Sequence, residues 1–270
     1  MNSRRSFLFK TLLATTGALS KPLVSLSKSV PLRDIPSLAG RKVLFTHGGW
    51  DGHEPEKFRD YLVGWMRAEG AEVLVYDNLE SYTNEELMNN LDLILQIRTM
   101  SEITKEQEAG LLKAIKNGAG MAGWHGGMCD AFRNNPEYQY MTGGQWVSHP
   151  GGIIGYSVQI TNTTDEITAE LKDFQMTSEQ YYMHVDPNVK VLATTRFTGD
   201  HNDWIDGSVM PVVWKKMYAK GRVFYTSLGH NLDHLTKIPE AITILKRGIR
   251  WASASRYAEP EKWLSPVYGS

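Results

Sequence analysis

The sequence predicts an α/β fold built on a parallel sheet. Two observations carry this. Short apolar segments at residues 42–46, 72–76, 91–97 and 120–124 alternate with stretches of helical periodicity at close, regular intervals. Parallel neighbours in a sheet need such crossover connections. The third segment, Leu91 to Ile97, is near-continuously apolar, as a strand covered on both faces should be.

Each element follows from local chemistry. Lys42–Thr46 is a short apolar strand that runs into His47-Gly48-Gly49. From Glu56 to Glu69, Phe58, Leu62 and Trp65 or Met66 recur on one helical face, and Gly70 stops the helix. Glu72–Tyr76 is the second strand. Thr83-Asn84-Glu85-Glu86 reads as a capping box opening a short helix, and Thr104-Lys105-Glu106-Gln107 as another opening a helix to Lys116. Gly120–Trp124 is the fourth strand. Beyond Gly152 the pattern changes: Ile153–Ile160 alternates like a half-exposed strand, and 189–195, 211–216 and 221–227 read as further strands. Pro239 begins a last helix, to about Ala254. Gly143 to Pro150 reads as a loop from its glycines and proline.

Outside this domain, assigned to residues 41–257, lie three other segments. Ser3-Arg4-Arg5-Ser6-Phe7-Leu8 resembles a twin-arginine export motif; it precedes a mild apolar run, Thr11 to Leu19, that is too short to span a bilayer as an ordinary helix. Residues 1–20 are therefore expected to be a signal peptide, 21–40 a linker and 258–270 a C-terminal tail. This places the mature protein in the periplasm or cell exterior, with no transmembrane segment after processing.

Composition narrows the function. The formal net charge is −1 and the basic residues are scattered, so no nucleic-acid partner is expected. No Gly-x-Gly-x-x-Gly follows the first strand and no Gly-x-x-x-x-Gly-Lys-Ser/Thr occurs, so no nucleotide cofactor is expected. Gly-x-Ser-x-Gly is also absent. Cys129 is the one cysteine, so no internal disulfide or cysteine-rich zinc module can form; it reads as a packed small residue, with a thiol hydrolase as the weaker alternative.

Ligands of open α/β sheets bind outside the carboxyl ends of the strands. Histidine and glycine recur there: His47 after strand one, His53 six residues on, Trp124-His125-Gly126-Gly127 after strand four, and Ser227-Leu228-Gly229-His230 after a later strand. A strand entering Gly-Trp-His-Gly-Gly has the shape of a nucleophile elbow. Its central residue, His125, suits a base or metal ligand better than a covalent nucleophile. His149, held extended before Pro150, and Glu179 complete the expected catalytic group. His125, His149 and His230 are the candidate ligands for a divalent metal, zinc or similar. His47, Trp124, Trp146 and Tyr181 are the candidate substrate contacts. Along Glu179–Asp186, alternation puts Glu179, Tyr181 and Met183 on one face and His184 on the other. His201 and His234 read as surface groups, and His53 is left unassigned.

Gly123-Trp124-His125-Gly126-Gly127-Met128, with Phe132, Arg133, Tyr138, Gly143-Gly144 and His149-Pro150, resembles the central signature of the ThuA-like (trehalose utilisation) family. Glu179–Tyr182, Met210–Trp214 and Gly221–His230 resemble its later blocks. The likeness runs from about Arg41 to Arg256. It implies a fold similar to class I glutamine amidotransferases, a flavodoxin-like, mainly parallel sheet with helices on both faces. In that wider group the elbow carries a catalytic cysteine; here His125 stands near that place and Cys129 four residues later. The resemblance further implies carbohydrate catabolism, including routes through 3-keto sugars. The leading expectation is an exported enzyme acting on a glycoside or 3-keto sugar through histidine acid/base or metal-assisted chemistry. The alternative is a non-catalytic sugar-binding protein partnering a sugar oxidoreductase.

Overall fold

A computed structural model describes residues 35–263; the expected signal peptide and most of the linker and tail lie outside them. The elements run β1 (Lys42–Gly49), α1 (Pro55–Ala68), β2 (Glu72–Tyr76), α2 (Glu85–Asn89), β3 (Leu93–Thr99), α3 (Lys105–Lys116), β4 (Gly120–Trp124), α4 (His125–Cys129), α5 (Pro136–Thr142), β5 (Gly144–Ser148), β6 (Ile153–Ile160), β7 (Phe174–Glu179), β8 (Tyr182–Val185), β9 (Lys190–Arg196), β10 (Val209–Tyr218), β11 (Gly221–Thr226), α6 (Leu232–Thr236) and α7 (Pro239–Ser253). Nine strands form one sheet in the order β2-β1-β3-β4-β11-β10-β9-β6-β7. The first five are mutually parallel, and each later pair is antiparallel. The fold is thus α/β with a mixed sheet, as expected.

Strand parity explains the layers. Successive side chains point to opposite faces. Val43 and Phe45 on β1, Leu93 and Leu95 on β3 and Phe224 on β11 enter one core beneath α1 and α7. Leu44, Ile94, Val223 and Tyr225 enter the other, beneath α2, α3 and α5. Close seating of α7 depends on Gly248: a Cβ there would come within 2.2 Å of the Phe224 ring. No helix among the described residues is long and apolar enough to cross a membrane.

Two local readings are corrected. The box at Thr104 forms as expected, with Gln107 reciprocating, but the cap of α2 is Asn84, whose side chain accepts from the Leu87 backbone N–H. Thr83 instead ends a 3₁₀ turn and donates its hydroxyl to the Glu80 carbonyl. The stretch read as a loop after Gly143 contains β5, paired antiparallel to β8 in a separate two-stranded sheet. The chain leaves β7 at Glu179 and re-enters pairing in that second sheet at Tyr182, a change of partner that periodicity alone does not register.

Strand direction decides which chain ends share an edge. From β11 the strands alternate down, up, down and up to β7, so β7 runs parallel to β11. Its carboxyl end therefore lies at the same edge as those of β1, β3, β4 and β11. The residues leading into β6 reach that edge too.

A buried charge cluster ties β9 and β10 to the connection between β6 and β7. Asp165, fully buried at its side chain, accepts from Lys215 at 2.8 Å and Lys190 at 2.7 Å, and Lys215 also reaches Glu166 at 3.0 Å. Burial works against the Asp165 charge, but Lys215 and Lys190 outweigh it and hold the carboxyl below the usual aspartate value. A depressed carboxyl pKa stabilises the fold above the unfolded-chain value of about 3.9, and that contribution fades as pH falls through the folded value. Asp165→Asn is expected to cost about 3 kcal/mol at neutral pH by leaving Lys215 short of a partner. Urea unfolding across pH should show the gap between wild type and variant steady above about pH 5 and closing below about pH 4. A gap that stays constant down to pH 2 would contradict this.

Candidate metal centre

Four side chains converge at the carboxyl edge. His53 follows β1 in a 3₁₀ turn, His125 follows β4, His230 follows β11, and Glu179 ends β7. Their ligand-type atoms all lie within 4.8 Å of one another. Oε2 of Glu179 is the shared point, 3.0 Å from His125 Nε2, 3.1 Å from His230 Nδ1 and 3.9 Å from His53 Nε2.

His125 is positioned on every side. It adopts φ +48, a left-handed conformation uncommon outside glycine. The Tyr225 hydroxyl donates to its carbonyl at 3.0 Å. Tyr181 stacks on its ring at 4.0 Å. Nδ1 lies 2.7 Å from the Ser227 carbonyl oxygen. Gly126 makes room for the neighbouring ligand, because a Cβ there would meet His53 Cε1 at 2.5 Å. Beneath the turn, Gln96 donates to the Gly127 carbonyl and the Tyr138 hydroxyl, and Tyr138 donates to the Met128 carbonyl.

The other ligands have their own supports. Thr99 Oγ1 lies 2.7 Å from His53 Nδ1, which leaves Nε2 toward the centre. The backbone N–H of His230 donates to Ser178 Oγ, one residue before Glu179. His230 Nδ1 is buried without a well-formed hydrogen bond.

These geometries fix the electrostatics. A carbonyl oxygen only accepts, so the His125 proton sits on Nδ1 and its Nε2 lone pair faces Glu179. Burial drives the His125 imidazole down to about 3, and burial likewise lowers His53. Burial opposes the Glu179 charge, but hydrogen bonds from the His125, His230 and His53 imidazoles would outweigh it and hold the carboxyl well below its usual range; at His125 such a bond needs a proton on Nε2, which burial and the Nδ1 contact with the Ser227 carbonyl oppose. With Nε2 of His125 unprotonated, a carboxylate oxygen faces a ring lone pair at hydrogen-bond distance. Two acceptors in that arrangement repel unless a cation lies between them. A tetrahedral ion with bonds of 2.0–2.2 Å separates its ligands by about 3.4 Å, close to the spacings here. Three imidazoles and a carboxylate suit zinc or another borderline divalent ion.

The remaining candidates divide. His149 Nε2 lies 3.7 Å from the other Glu179 oxygen, and its side chain is 38% exposed. It stands beside the four-residue group rather than in it. Tyr181, Trp146 and His149 line the pocket over the centre. Trp124 lies elsewhere: it is fully buried and packs on Phe58 at 4.8 Å. His47 packs against Phe45, with Arg59 and Asp77 as charged neighbours, and does not line the pocket. His184 is exposed on β8, and His201 is exposed beneath Gly151. His234 is half-buried beside His230. Cys129 is buried and burial pushes its thiol well up, which removes it as a nucleophile. Sequence reasoning left His53 unassigned; the signal was its place in the loop after β1, at the same edge as the other histidines.

The fold has solved relatives. The chain is similar to a ThuA-like protein from Parabacteroides merdae ATCC 43184, with a TM-score of 0.67 and 17% identity over 83% of this chain and 92% of that one. It is similar to another from Bacteroides uniformis ATCC 8492, with a TM-score of 0.66 and 16% identity over 82% and 94%. A cytoplasmic protein of Salmonella typhimurium LT2 follows at 0.53 and 13%, over 81% and 100%. No curated protein matches the chain significantly. Over residues 42–252 the sequence matches the family model for trehalose utilisation, and the chain belongs to the ThuA family.

Proposed function

We propose that this protein is an enzyme of carbohydrate catabolism that acts on a glycoside or 3-keto sugar at a divalent metal centre held by His53, His125, Glu179 and His230. Family membership supports a carbohydrate-related role in broad terms. The observation that carries the metal-assisted reading is the 3.0 Å approach of a neutral imidazole nitrogen to an ionised carboxylate. A divalent ion there would polarise a carbonyl or hydroxyl oxygen of the sugar.

The chain's own residues supply the rest. His149 is the imidazole beside the centre with access to the pocket, and Glu179 Oε1 lies 3.7 Å from its Nε2. A ketone on the sugar ring acidifies the adjacent C–H. His149 takes that proton, the C–O bond at the next carbon breaks, and the glycosidic oxygen leaves with a proton returned to it. Such an elimination needs no covalent nucleophile, consistent with the buried Cys129. Tyr181, itself buried, stacks on His125 at 4.0 Å and backs the ring from the pocket side.

Elemental analysis of the purified protein is expected to find about one divalent ion per chain, lost in His125→Ala and Glu179→Gln. His149→Ala is expected to keep the ion and to lose about 10²–10⁴-fold in turnover of 3-keto glycosides. Absence of any tightly bound divalent ion, even after titration with zinc, would sink the metal centre; full turnover by His149→Ala would sink the role of His149.

Export belongs to the same proposal and rests on Arg4-Arg5 with the following apolar run. Replacing both arginines with lysine should leave the precursor inside the cell, whereas the unaltered chain should appear shortened in the periplasmic fraction. Equal periplasmic yields from the two would remove the twin-arginine route.

A further inference from the structure

The pocket above the centre has a polar floor and an apolar lip. The floor holds the buried Glu179, His53 and Asp130, and the half-exposed His149 and Arg133 stand at its side, Arg133 paired to Asp130 at 2.6 and 2.8 Å. The lip holds two large apolar side chains, Trp50 at 45% and Met100 at 47% exposure.

Single exposed apolar residues are ordinary. These two differ in how they are held. The Trp50 backbone N–H donates to the Thr99 carbonyl at 3.1 Å, and that of Met100 to the Asp130 carbonyl at 2.8 Å. Met100 has φ +49, a conformation that a residue of this kind keeps only where its surroundings impose it. The Trp50 indole packs on Gly52, where a Cβ would lie 2.3 Å from Cη2 and Cζ2. That packing takes one side of the ring. Its neighbours on the inner side are His53, with ring centroids 4.8 Å apart, and His230, at 6.1 Å. The residue is 45% exposed and lines the pocket.

We infer that the open face of Trp50, with Met100 beside it, is a stacking subsite for the second ring of a glycoside whose first ring occupies the metal pocket. The inference rests on the carbohydrate-directed function proposed for the centre. A pyranose carries hydroxyls on its rim and C–H bonds on its faces, so it suits a flat aromatic surface whose face is weakly negative. The pocket offers about 200 Å³, below the 300–1,000 Å³ of sites that enclose a drug-sized ligand. Trp50 and Met100 line the same opening as Glu179, so a sugar ring bound over the carboxylate has the indole beside it for the next ring. The reacting ring goes to the polar floor and the leaving ring to the indole.

The test is calorimetric titration of the protein, carrying its metal, with trehalose, sucrose, maltose, cellobiose and lactose, against glucose and galactose. Wild type is expected to bind at least one disaccharide more tightly than either of its component monosaccharides. Trp50→Ala should weaken that disaccharide about tenfold and leave the monosaccharide within twofold, and Trp50→Phe should restore most of the difference. The readout compares two ligands on one variant, so damage to the fold or the metal centre lowers both together. Such a parallel loss, or no change in either, overturns the subsite. If saccharides bind wild type without any preference for two rings, the subsite fails and the carbohydrate reading stands. If no saccharide binds the metal-loaded wild type, both fail.

Discussion

The carboxylate of Glu179 faces the ring nitrogens of His125, His230 and His53 at 3.0, 3.1 and 3.9 Å in a buried setting. An ionised oxygen opposed to the Nε2 lone pair of His125 is unfavourable in isolation, and low surrounding dielectric sharpens the conflict. The molecule tolerates it only where backbone and packing force the groups together or where a cation joins them. The sheet topology is what makes the juxtaposition possible. The parallel half delivers three histidines from the ends of β1, β4 and β11. The antiparallel half folds back twice, so that β7 ends at the same edge and contributes Glu179 there. A sheet with one strand fewer between β11 and β7 would point Glu179 at the opposite edge.

Precision at the centre then depends on residues that never reach it. Thr46 donates to Tyr82, Tyr82 to Gln96, and Gln96 to Gly127 and Tyr138. Every member of this buried chain has a partner, and a fully satisfied polar network rigidifies what it touches. What it touches is the turn carrying His125 in its left-handed conformation. Glycine matters at two points here for steric reasons: Gly126 admits His53, and Gly127, whose added Cβ would lie 2.6 Å from Ile97 Cγ1, lets α4 lie against β3. A functional site held in a sparsely populated backbone region needs this kind of enforcement.

Much of the scaffold was legible in the sequence because its parallel half is built from repeated local signals. The four strand segments, the Thr104 cap and the final helix from Pro239 all follow from periodicity and capping chemistry. The antiparallel half was less legible. Gly143-Gly144 and Pro150 disguise β5, whose pairing with β8 is a long-range fact. At the centre, His125 and His230 stood out as strand-end residues; Glu179 stood out only as a carboxylate beside two tyrosines and His184, and the strand that it ends, β7, was not read. Trp124 is the instructive case. It adjoins His125 in sequence, yet strand parity turns it into the core against Phe58. Adjacency in a strand means opposite faces, so the neighbour of a site residue is a poor candidate for the site. His53 and Trp50 lay in a loop, where no period applies, and only the approach of β1, β3 and β11 shows what they face.

Strand pairing also ties the lip of the pocket to its floor. His53 shares Thr99 with Trp50: the threonine hydroxyl meets the imidazole Nδ1, and its carbonyl accepts the Trp50 backbone N–H. The residue that sets the direction of a candidate metal ligand therefore also anchors the backbone of the half-exposed indole. A shift of β3 relative to β1 would move both together, so the distance from centre to lip is fixed by the register of those strands rather than by loop conformation. For a ligand of two rings, that distance is what decides which bond lies over Glu179.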